Sequence, residues 1–454
     1  MQTLSDYQQT WAAWYSCDPE TIWEHYKSKK FANRFWGSLS AKQAREAVHM
    51  PITQDITSTS ASLLFGEPVD IETGVMRLEE ILEEKDIDSY LLEAADLCAG
   101  MGGVFLKIDV DRELSSMPIL TSKSPADTIA HFKYGFLQEV EFLKEVSRDA
   151  YLVEKRSMSG ENLNIEYSIK HITSTGYLKD YTLNYEERQQ IEVPEDVTVQ
   201  GAGCLGVQYV PNLLPNRNFV DSSQGMSDYA GLTDLMDALD ETWTSWMNDI
   251  ELGKTRILID ESVTNNGKFD KNDRAFMTID LDEWRITEGR ADPITDIQFD
   301  IRYEEHAKTA KDLVTNIISR AGYAPQTFGM NTEGMAESGT SRKIKERKSE
   351  TTRKKKVRYW KHNLTDFFEQ VQKIDISAGL NGSYNVERPD ISFPSFVQSS
   401  IEDISNTVLR LDQAQAASAE TKIRMVHPDW SDEQVEEEAS KLASPMLPDE
   451  ILNG

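Results

Sequence analysis

The sequence predicts an α+β fold, and three observations carry the prediction. Short alternating apolar–polar segments follow one another through residues 103–184, as half-buried strands do. Two amphipathic helical stretches, 226–253 and 302–321, enclose a small β-rich insert at 254–301. A long helix then begins near residue 340, and its first half is almost all charge. With 454 residues, 39% of them hydrophobic, the chain can bury a large core and divide into about two to four domains.

Residues 1–30 read as helix, because Trp11, Trp14, Tyr15, Ile22, Trp23 and Tyr26 recur at helical spacing. "PITQDITSTSASLLF" (51–65) reads as a second helix, opened by Pro51 and stopped by Gly66-Glu67-Pro68. A third runs over 74–99 and stops at Gly100. "GVFLKIDVD", "TIAHFKYG", "QEVEFLKEV", "AYLVEKRSM", "LNIEYSIKH" and "GYLKDYTLN" follow as strands, and the turn residues between them predict antiparallel pairing.

From residue 226 the period returns to helical. Tyr229, Leu232, Leu235, Met236, Leu239, Trp243, Trp246, Met247 and Ile250 step by threes and fours, and Gly253 closes the helix. "TRILID", "AFMTID" and "ITDIQFDI" are the strands of the insert. The next helix, 302–321, places Ala307, Ala310, Leu313, Val314, Ile317 and Ile318 on one face, and Gly322 stops it. The two helices with their insert therefore read as a helical hairpin with a β tip. A polar loop, "YAPQTFGMNTEGMAESG" (323–339), leads to the long helix over 340–374, roughly 50 Å at 1.5 Å per residue. The second half of that helix is amphipathic through Trp360, Leu364, Phe367, Phe368, Val371 and Ile374. Its first half has almost no apolar residue beyond Ile344, so something polar is expected to lie against it. A strand near 391–397 and helices at 400–417 and 431–443 complete the chain, the last with Ser431 and Gln434 in capping-box spacing.

Catalytic and cofactor signals are absent. "GAGCLG" (201–206) matches a dinucleotide fingerprint in letters, but "VQYVPNLLPN" after it precludes the helix that fingerprint needs, so it reads as a glycine-rich turn. His49, His131, His171, His306, His362 and His427 have no partner at metal-ligand spacing. No phosphate loop and no nucleophile elbow occurs. Asp109 with Asp111, and Asp280 with Asp282, stand at alternate strand positions and read as solvent-facing acids before a metal pair. Cys17, Cys98 and Cys204 are scattered, which predicts buried thiols rather than disulfides or zinc ligands. The apolar run "LCAGMGGVFLKI" (97–108) is far short of the ~20 residues of a membrane span, so no membrane partner is expected. No enzyme activity, metal or cofactor is expected.

Charge is the strongest anomaly. The chain carries a formal −29, yet Ser338 to Lys361 holds eleven Lys or Arg against two Glu. That segment is +9 and the remainder −38. Glu350 and Lys354 stand at the favourable i, i+4 order, but two acids cannot neutralise eleven bases. Three readings stay open from the residues alone: a solvated charged face, sequence-blind phosphate contact, and docking on an acidic neighbour. Stacking of single-stranded bases is not indicated, since no aromatic residue lies between 341 and 358.

Four stretches carry a family resemblance: "HMPITQDITSTSASLLFGEP" (49–68), "WTSWMNDIELGKTRILID" (243–260), "SGTSRKIKERKSETTRKKKVRYW" (338–360) and "SAETKIRMVHPDWSDEQVEEE" (418–438). With them the chain resembles the portal proteins of tailed double-stranded DNA bacteriophages, in the siphophage-type branch. The resemblance implies a ring of about twelve copies at one capsid vertex. It implies a wing at 1–225 and 340–399, stem helices at 226–253 and 302–321, and a clip at 254–301. A tunnel loop at 322–339 and a crown at 400–454 complete the assignment. Double-stranded DNA would pass through the channel during packaging and ejection. The large terminase, a head–tail connector or adaptor protein and the major capsid protein would be partners. The location would be the virion, after assembly in the host cytoplasm.

On that reading, net acidity keeps DNA from adhering to the channel while a few basic rings centre it. The expected channel residues are Gln326, Thr327, Asn331, Thr332, Arg342, Lys343, Lys345, Arg347 and Lys348. Arg353, Lys354, Lys355 and Lys356 are expected to pair with acids of an adjacent subunit. Lys268, Phe269, Phe276 and Trp284 are expected to meet partners at the clip, where exposed strand edges and apolar area favour docking. The competing readings are a non-ring nucleic-acid-binding scaffold or minor head protein using helix 341–361, and an enzyme hidden in the β region at 100–215.

Overall fold

A capping box opens the chain: Thr3 Oγ1 accepts from Asp6 N–H while the Asp6 carboxylate accepts from Thr3 N–H, starting α1 (Leu4–Tyr15). The computed structural model describes residues 3–29, 33–147, 150–172, 178–182, 191–253, 256–260, 276–279, 294–297, 301–330, 339–380, 384–394, 401–427 and 430–443. The single helix expected over 1–30 is two. Cys17 takes a positive φ of 51°, and Asp18 then caps α2 (Pro19–Ser28). Two short helices follow, α3 (Phe35–Ser38) and α4 (Ala41–Glu46), each too short to show an apolar period. Next come α5 (Ile52–Phe65) and β1 (Asp70–Glu72). The helix expected over 74–99 also divides, into α6 (Met76–Glu84) and α7 (Ile87–Met101), at Asp86 with φ 52°.

Nine strands form the β region: β2 (Gly103–Asp109), β3 (Ile119–Lys123), β4 (Thr128–Lys133), β5 (Phe136–Ser147), β6 (Ala150–Ser159), β7 (Asn162–Ile172), β8 (Leu178–Asp180), β9 (Val197–Val199) and β10 (Val207–Pro211). β10-β2-β3 make one antiparallel sheet, and β4 to β8 make an antiparallel meander with β9 beside β7. The glycine-rich turn at 201–206 leads into β10, not into a helix. Arg156, 1% exposed in its side chain, ties the sheets together. It donates to the Ile108 and Gly206 carbonyls at 2.8 and 3.1 Å, and to Asp109 and Glu154 at 2.5 and 2.7 Å. Lys107 joins the same two carboxylates at 2.9 and 2.6 Å. Asp109 thus sits in a cation network, and Asp111 faces its own loop, accepting from Glu113 and Leu114 N–H.

The helical period resumes in α8 (Thr233–Leu252), seven residues later than expected. The delay has a cause, because Asp228 N–H binds the Ala99 carbonyl and its carboxylate accepts from Asn212, which holds the segment in a turn. β11 (Arg256–Asp260), β12 (Phe276–Ile279) and β13 (Ile294–Ile297) form one sheet in the order β12-β11-β13, matching the three strands expected there. α9 (Tyr303–Ala321) returns against α8. Asp249 on α8 accepts from Arg302 at 2.8 Å and His306 at 3.0 Å, and the Trp246 and His306 rings stack at 6.1 Å. α10 (Gly339–Ser377) and β14 (Asp390–Ser392) follow, and β14 pairs β1.

The helix expected over 400–417 ends early. α11 (Ile401–Gln413) gives way to a turn with Gln415 at φ 48°, and Ser418 caps α12 (Ala419–Val426). α13 (Asp432–Ala443) opens with the expected Ser431–Gln434 box.

The chain divides into two compact units, 1–330 with 348–394, and 331–347 with 395–454. Among the described residues the first holds two large hydrophobic cores and a small cluster around Ala150 and Ile169. One packs α6, α7 and the end of α5 with β2, β3, β10 and the Trp360–Ile374 stripe of α10. The other packs α1, α2, the start of α5, α8 and α9. In the second unit Ile423 and Val435 are buried, Lys422 pairs with Asp412 at 2.7 Å, and the His427 and Trp430 rings stack at 3.9 Å. Among the described residues no helix is long and apolar enough to cross a membrane.

Candidate functional site

The basic stretch of α10 is two-faced. Ser349, Thr352, Arg353 and Lys356 recur at three- and four-residue steps, so one helical face carries all four, and all four are buried. Lys356 is 1% exposed in its side chain. Its ammonium donates to Asp228 Oδ2 at 2.6 Å, Ser60 Oγ at 2.6 Å and the Tyr323 hydroxyl at 3.0 Å. Three donors meet three acceptors, which is what a buried ammonium requires. Burial, and then the Asp228 carboxylate, push the Tyr323 phenol well above its ordinary range. It therefore stays protonated and donates to Asp228 Oδ2 at 2.7 Å.

The rest of this face holds the chain as it leaves α9. Gly322 ends α9 in the left-handed region at φ 101°, and its carbonyl accepts from Thr352 Oγ1 at 2.6 Å. A Cβ at Gly322 would stand 3.0 Å from that same hydroxyl, so both the φ and the close approach favour glycine. Ser349 Oγ accepts from Ala324 N–H at 2.9 Å and lies 2.8 Å from Thr327 Oγ1. Lys348 donates to the Ser319 carbonyl. Arg353 reaches the other way, to the Leu63 carbonyl at 2.5 Å and the Pro394 carbonyl at 2.6 Å. The segment 322–330 is thereby fixed at its root by side chains of α10.

The opposite face is exposed. Arg347, Lys354, Lys355, Arg358 and Lys361 point outward along it, with Lys354 on Glu350 at 2.6 Å and Lys361 on Asp390 at 3.0 Å. The expectation that 353–356 act together against a neighbouring subunit does not hold for Arg353 and Lys356, whose donors are engaged inside the chain. Lys354 and Lys355 remain at the surface. The expectation that something polar lies against the first half of the helix is met at the four buried positions, whose partners are Asp228, Ser60, the Tyr323 hydroxyl and main-chain groups. Their polar groups are satisfied, so burial does not require apolar side chains.

The remaining expected residues fall as follows. Gln326 and Thr327 lie in a turn of 3-10 helix, 325–328. Arg342, Lys343 and Lys345 lie in α10, and Phe276 lies in β12. Asn331, Thr332, Lys268, Phe269 and Trp284, with the Asp280–Asp282 pair, fall outside the described residues. Asp228, Ser60 and Tyr323 were not singled out in the sequence. A signal existed in α5, where Thr53, Thr57 and Ser60 place three hydroxyl residues on one otherwise apolar face. Among the described residues no group of three His, Cys, Asp or Glu side chains could hold a metal ion.

Comparison with known families decides what this architecture serves. Residues 20–444, from α2 through α13, match the family model for phage portal protein, SPP1 Gp6-like. The chain belongs to the phage portal protein family. A portal protein is a structural component of the virion, at its portal vertex, and not an enzyme. No curated protein matched the chain. Among solved structures, the chain is similar to a chain from the neck of a native GTA particle computed with C12 symmetry. That likeness has 9% identity, covers 88% of this chain and 92% of that one, and has a TM-score of 0.41. A chain from the virion of a native gene transfer agent particle is similar at 8% identity, with 82% and 88% covered and a TM-score of 0.35. At these values the likenesses carry no argument beyond the family match.

Proposed function

We propose that the chain assembles head to tail into a closed ring of about twelve copies, through which double-stranded DNA passes during packaging and ejection. The carrying observation is the family match over 20–444, which takes in the α8–α9 pair, its β insert and α10. In this reading 1–225 and 340–399 are the wing, 226–253 and 302–321 the stem, 254–301 the clip, 322–339 the tunnel loop and 400–454 the crown. The clip, with Lys268, Phe269, Phe276 and Trp284, docks the large terminase and later a head–tail connector, and the major capsid protein surrounds the ring.

DNA contact is assigned to Gln326, Thr327, Asn331, Thr332, Arg342, Lys343, Lys345 and Arg347. Contacts of this kind are electrostatic and sequence-blind, and suit a duplex that must slide. Lys348 joins them with a second duty, since it also caps the Ser319 carbonyl. Replacing Arg342, Lys343 and Lys345 together by Glu is expected to leave ring assembly intact and lower packaged DNA per particle by about tenfold or more. Quantifying nuclease-protected DNA in purified particles tests this, and unchanged packaging would remove these residues from the channel.

Lys354 and Lys355 stay assigned to the interface between copies. Lys354→Glu with Lys355→Glu is expected to shift native mass from ring to monomer while the far-ultraviolet circular dichroism stays unchanged. Rings of normal yield from this variant would move both residues out of the interface.

A further inference from the structure

The antiparallel meander has two edges, and they carry unlike residues. At one edge the β4–β5 hairpin turns through Tyr134 and Gly135, at φ 53° and 86°. A two-residue hairpin turn with both φ values positive favours Asn-Gly or Asp-Gly, so the fold itself gives no reason for a tyrosine there. Tyr134 is nonetheless 91% exposed, the most exposed large hydrophobic residue among those described, and Phe136 beside it is 73% exposed. Lys133 stands opposite Phe136 across the hairpin, with its ammonium 5.9 Å from the centre of the Tyr134 ring. Among the described residues Lys133 makes no ion pair.

At the other edge, β9 lies against β7. The segment 192–197, "EVPEDV", is exposed throughout, and Val193 and Val197 give it aliphatic surface. Its acids, Glu192, Glu195 and Asp196, meet no cation among the described residues, and Asp196 accepts from Tyr167 N–H at 2.8 Å. The register brings both patches to one end of the sheet. His131, Glu139, Ser157, Asn164 and Thr198 stand on a single rung that runs from β4 to β9. That rung crosses from β4 through β5, β6 and β7 to β9, about 19 Å at roughly 4.8 Å per strand, so the two patches do not meet within one chain.

We propose that the Tyr134 hairpin of one copy docks on the β9 edge of the next. The inference rests on the ring reading above and names a surface that builds the ring. The charges are complementary, an unpaired lysine on one patch and unpaired carboxylates on the other. The apolar surfaces match as well, because the Tyr134 and Phe136 rings need cover and Val193 and Val197 offer it. Contact between two different patches of the same chain is head to tail, the kind that repeats around a ring. The β-bulge between His131 and Phe132 blunts β4 against backbone pairing, so side chains carry the contact.

The test treats assembled full-length protein with a carbodiimide, which joins an amine directly to a touching carboxylate, and reads the linked peptides by mass spectrometry. A link from Lys133 to Glu195 or Asp196 is expected, and no zero-length link spans about 19 Å, so it joins two copies. Tyr134→Ser with Phe136→Ser is expected to lower the fraction of chain in rings by about tenfold or more in native mass. Both side chains are exposed, so the circular dichroism is expected to stay unchanged. Wild-type rings without the link, or rings of normal yield from the double variant, would overturn the contact and leave the ring standing. Normal rings that fail only to enter capsids would give the hairpin to the capsid protein and overturn the contact too. Monomers throughout, with no link at any concentration, would overturn ring and contact together.

Discussion

Lys356→Met is expected to destabilise the first unit by about 3–5 kcal/mol, the range for a buried ion pair broken on one side. The methionine fills the lysine's volume, but Asp228 is then left as a buried carboxylate without a cation, and Ser60 loses its charged donor. Tyr323 still donates to Asp228, and one neutral donor does not replace an ammonium. Chemical unfolding followed by tryptophan fluorescence gives the measurement. The double variant Lys356→Met with Asp228→Asn removes both charges and is expected to recover most of the loss, because two neutral groups need less solvation than one unpaired charge. If the double variant were as unstable as the single one, the network's value would lie in its hydrogen bonds and not in its charges. Lys42→Met, which breaks only an exposed i, i+4 pair with Glu46, is the internal control and is expected to cost no more than about 0.5 kcal/mol.

The second large effect is expected at Arg156. Arg156→Met removes the donors of two carbonyls and two carboxylates at the junction of the β2 sheet and the meander. Lys107 still pairs with Asp109 and Glu154, so the acids are not wholly abandoned, but the Ile108 and Gly206 carbonyls lose this donor. The Gly206 carbonyl keeps the Ile108 N–H at 2.9 Å, so a cost of about 2–4 kcal/mol is expected from the buried Ile108 carbonyl and from the charged donor lost to both acids. It should concentrate in the β strands. Hydrogen exchange is therefore expected to quicken in β5, β6 and β7 while α1, α2 and α8, which rest on the other core, stay protected. Uniform loss of protection over the first unit would show that the two cores unfold as one.

Much of the architecture was legible in the sequence, for a physical reason in each case. α5 and α9 were found because each carries an uninterrupted helical period with a clear stop, at Gly66 and Gly322, and α10 was found through the Trp360–Ile374 stripe of its second half. β5 alternates at its centre, where Val140 and Phe142 are buried and Glu141 and Leu143 between and beside them are half-buried. What was missed lies where a single residue departs from the regular backbone. Cys17, Asp86 and Gln415 adopt positive φ with side chains that do not advertise it, and each divides a helix that periodicity alone runs together. β3, only Ile119–Lys123, is too short to establish an alternation.

The candidate site was half legible. Its charge was plain, but charge counts do not say which face of a helix is buried. Ser349, Thr352, Arg353 and Lys356 share helical spacing with one another, and so do Arg347, Lys354, Arg358 and Lys361. Only the position of Asp228, more than a hundred residues earlier in the chain, decides which set turns inward. An acidic chain thus has two uses for one basic helix. The inward cations anchor the segment that follows α9, and the outward ones are those that the proposed function assigns to DNA and to neighbouring copies.

Electron microscopy of the purified recombinant protein, with native mass measured on the same sample, tests the central claim most directly. The account predicts rings of about twelvefold symmetry with a central hole wide enough for a duplex. Their mass should be a ring multiple of the 51.6 kDa chain. A chain that stays monomeric at high concentration and also when presented with its capsid protein, and that binds DNA with steep salt dependence, would contradict it and point to a non-ring nucleic-acid-binding head protein.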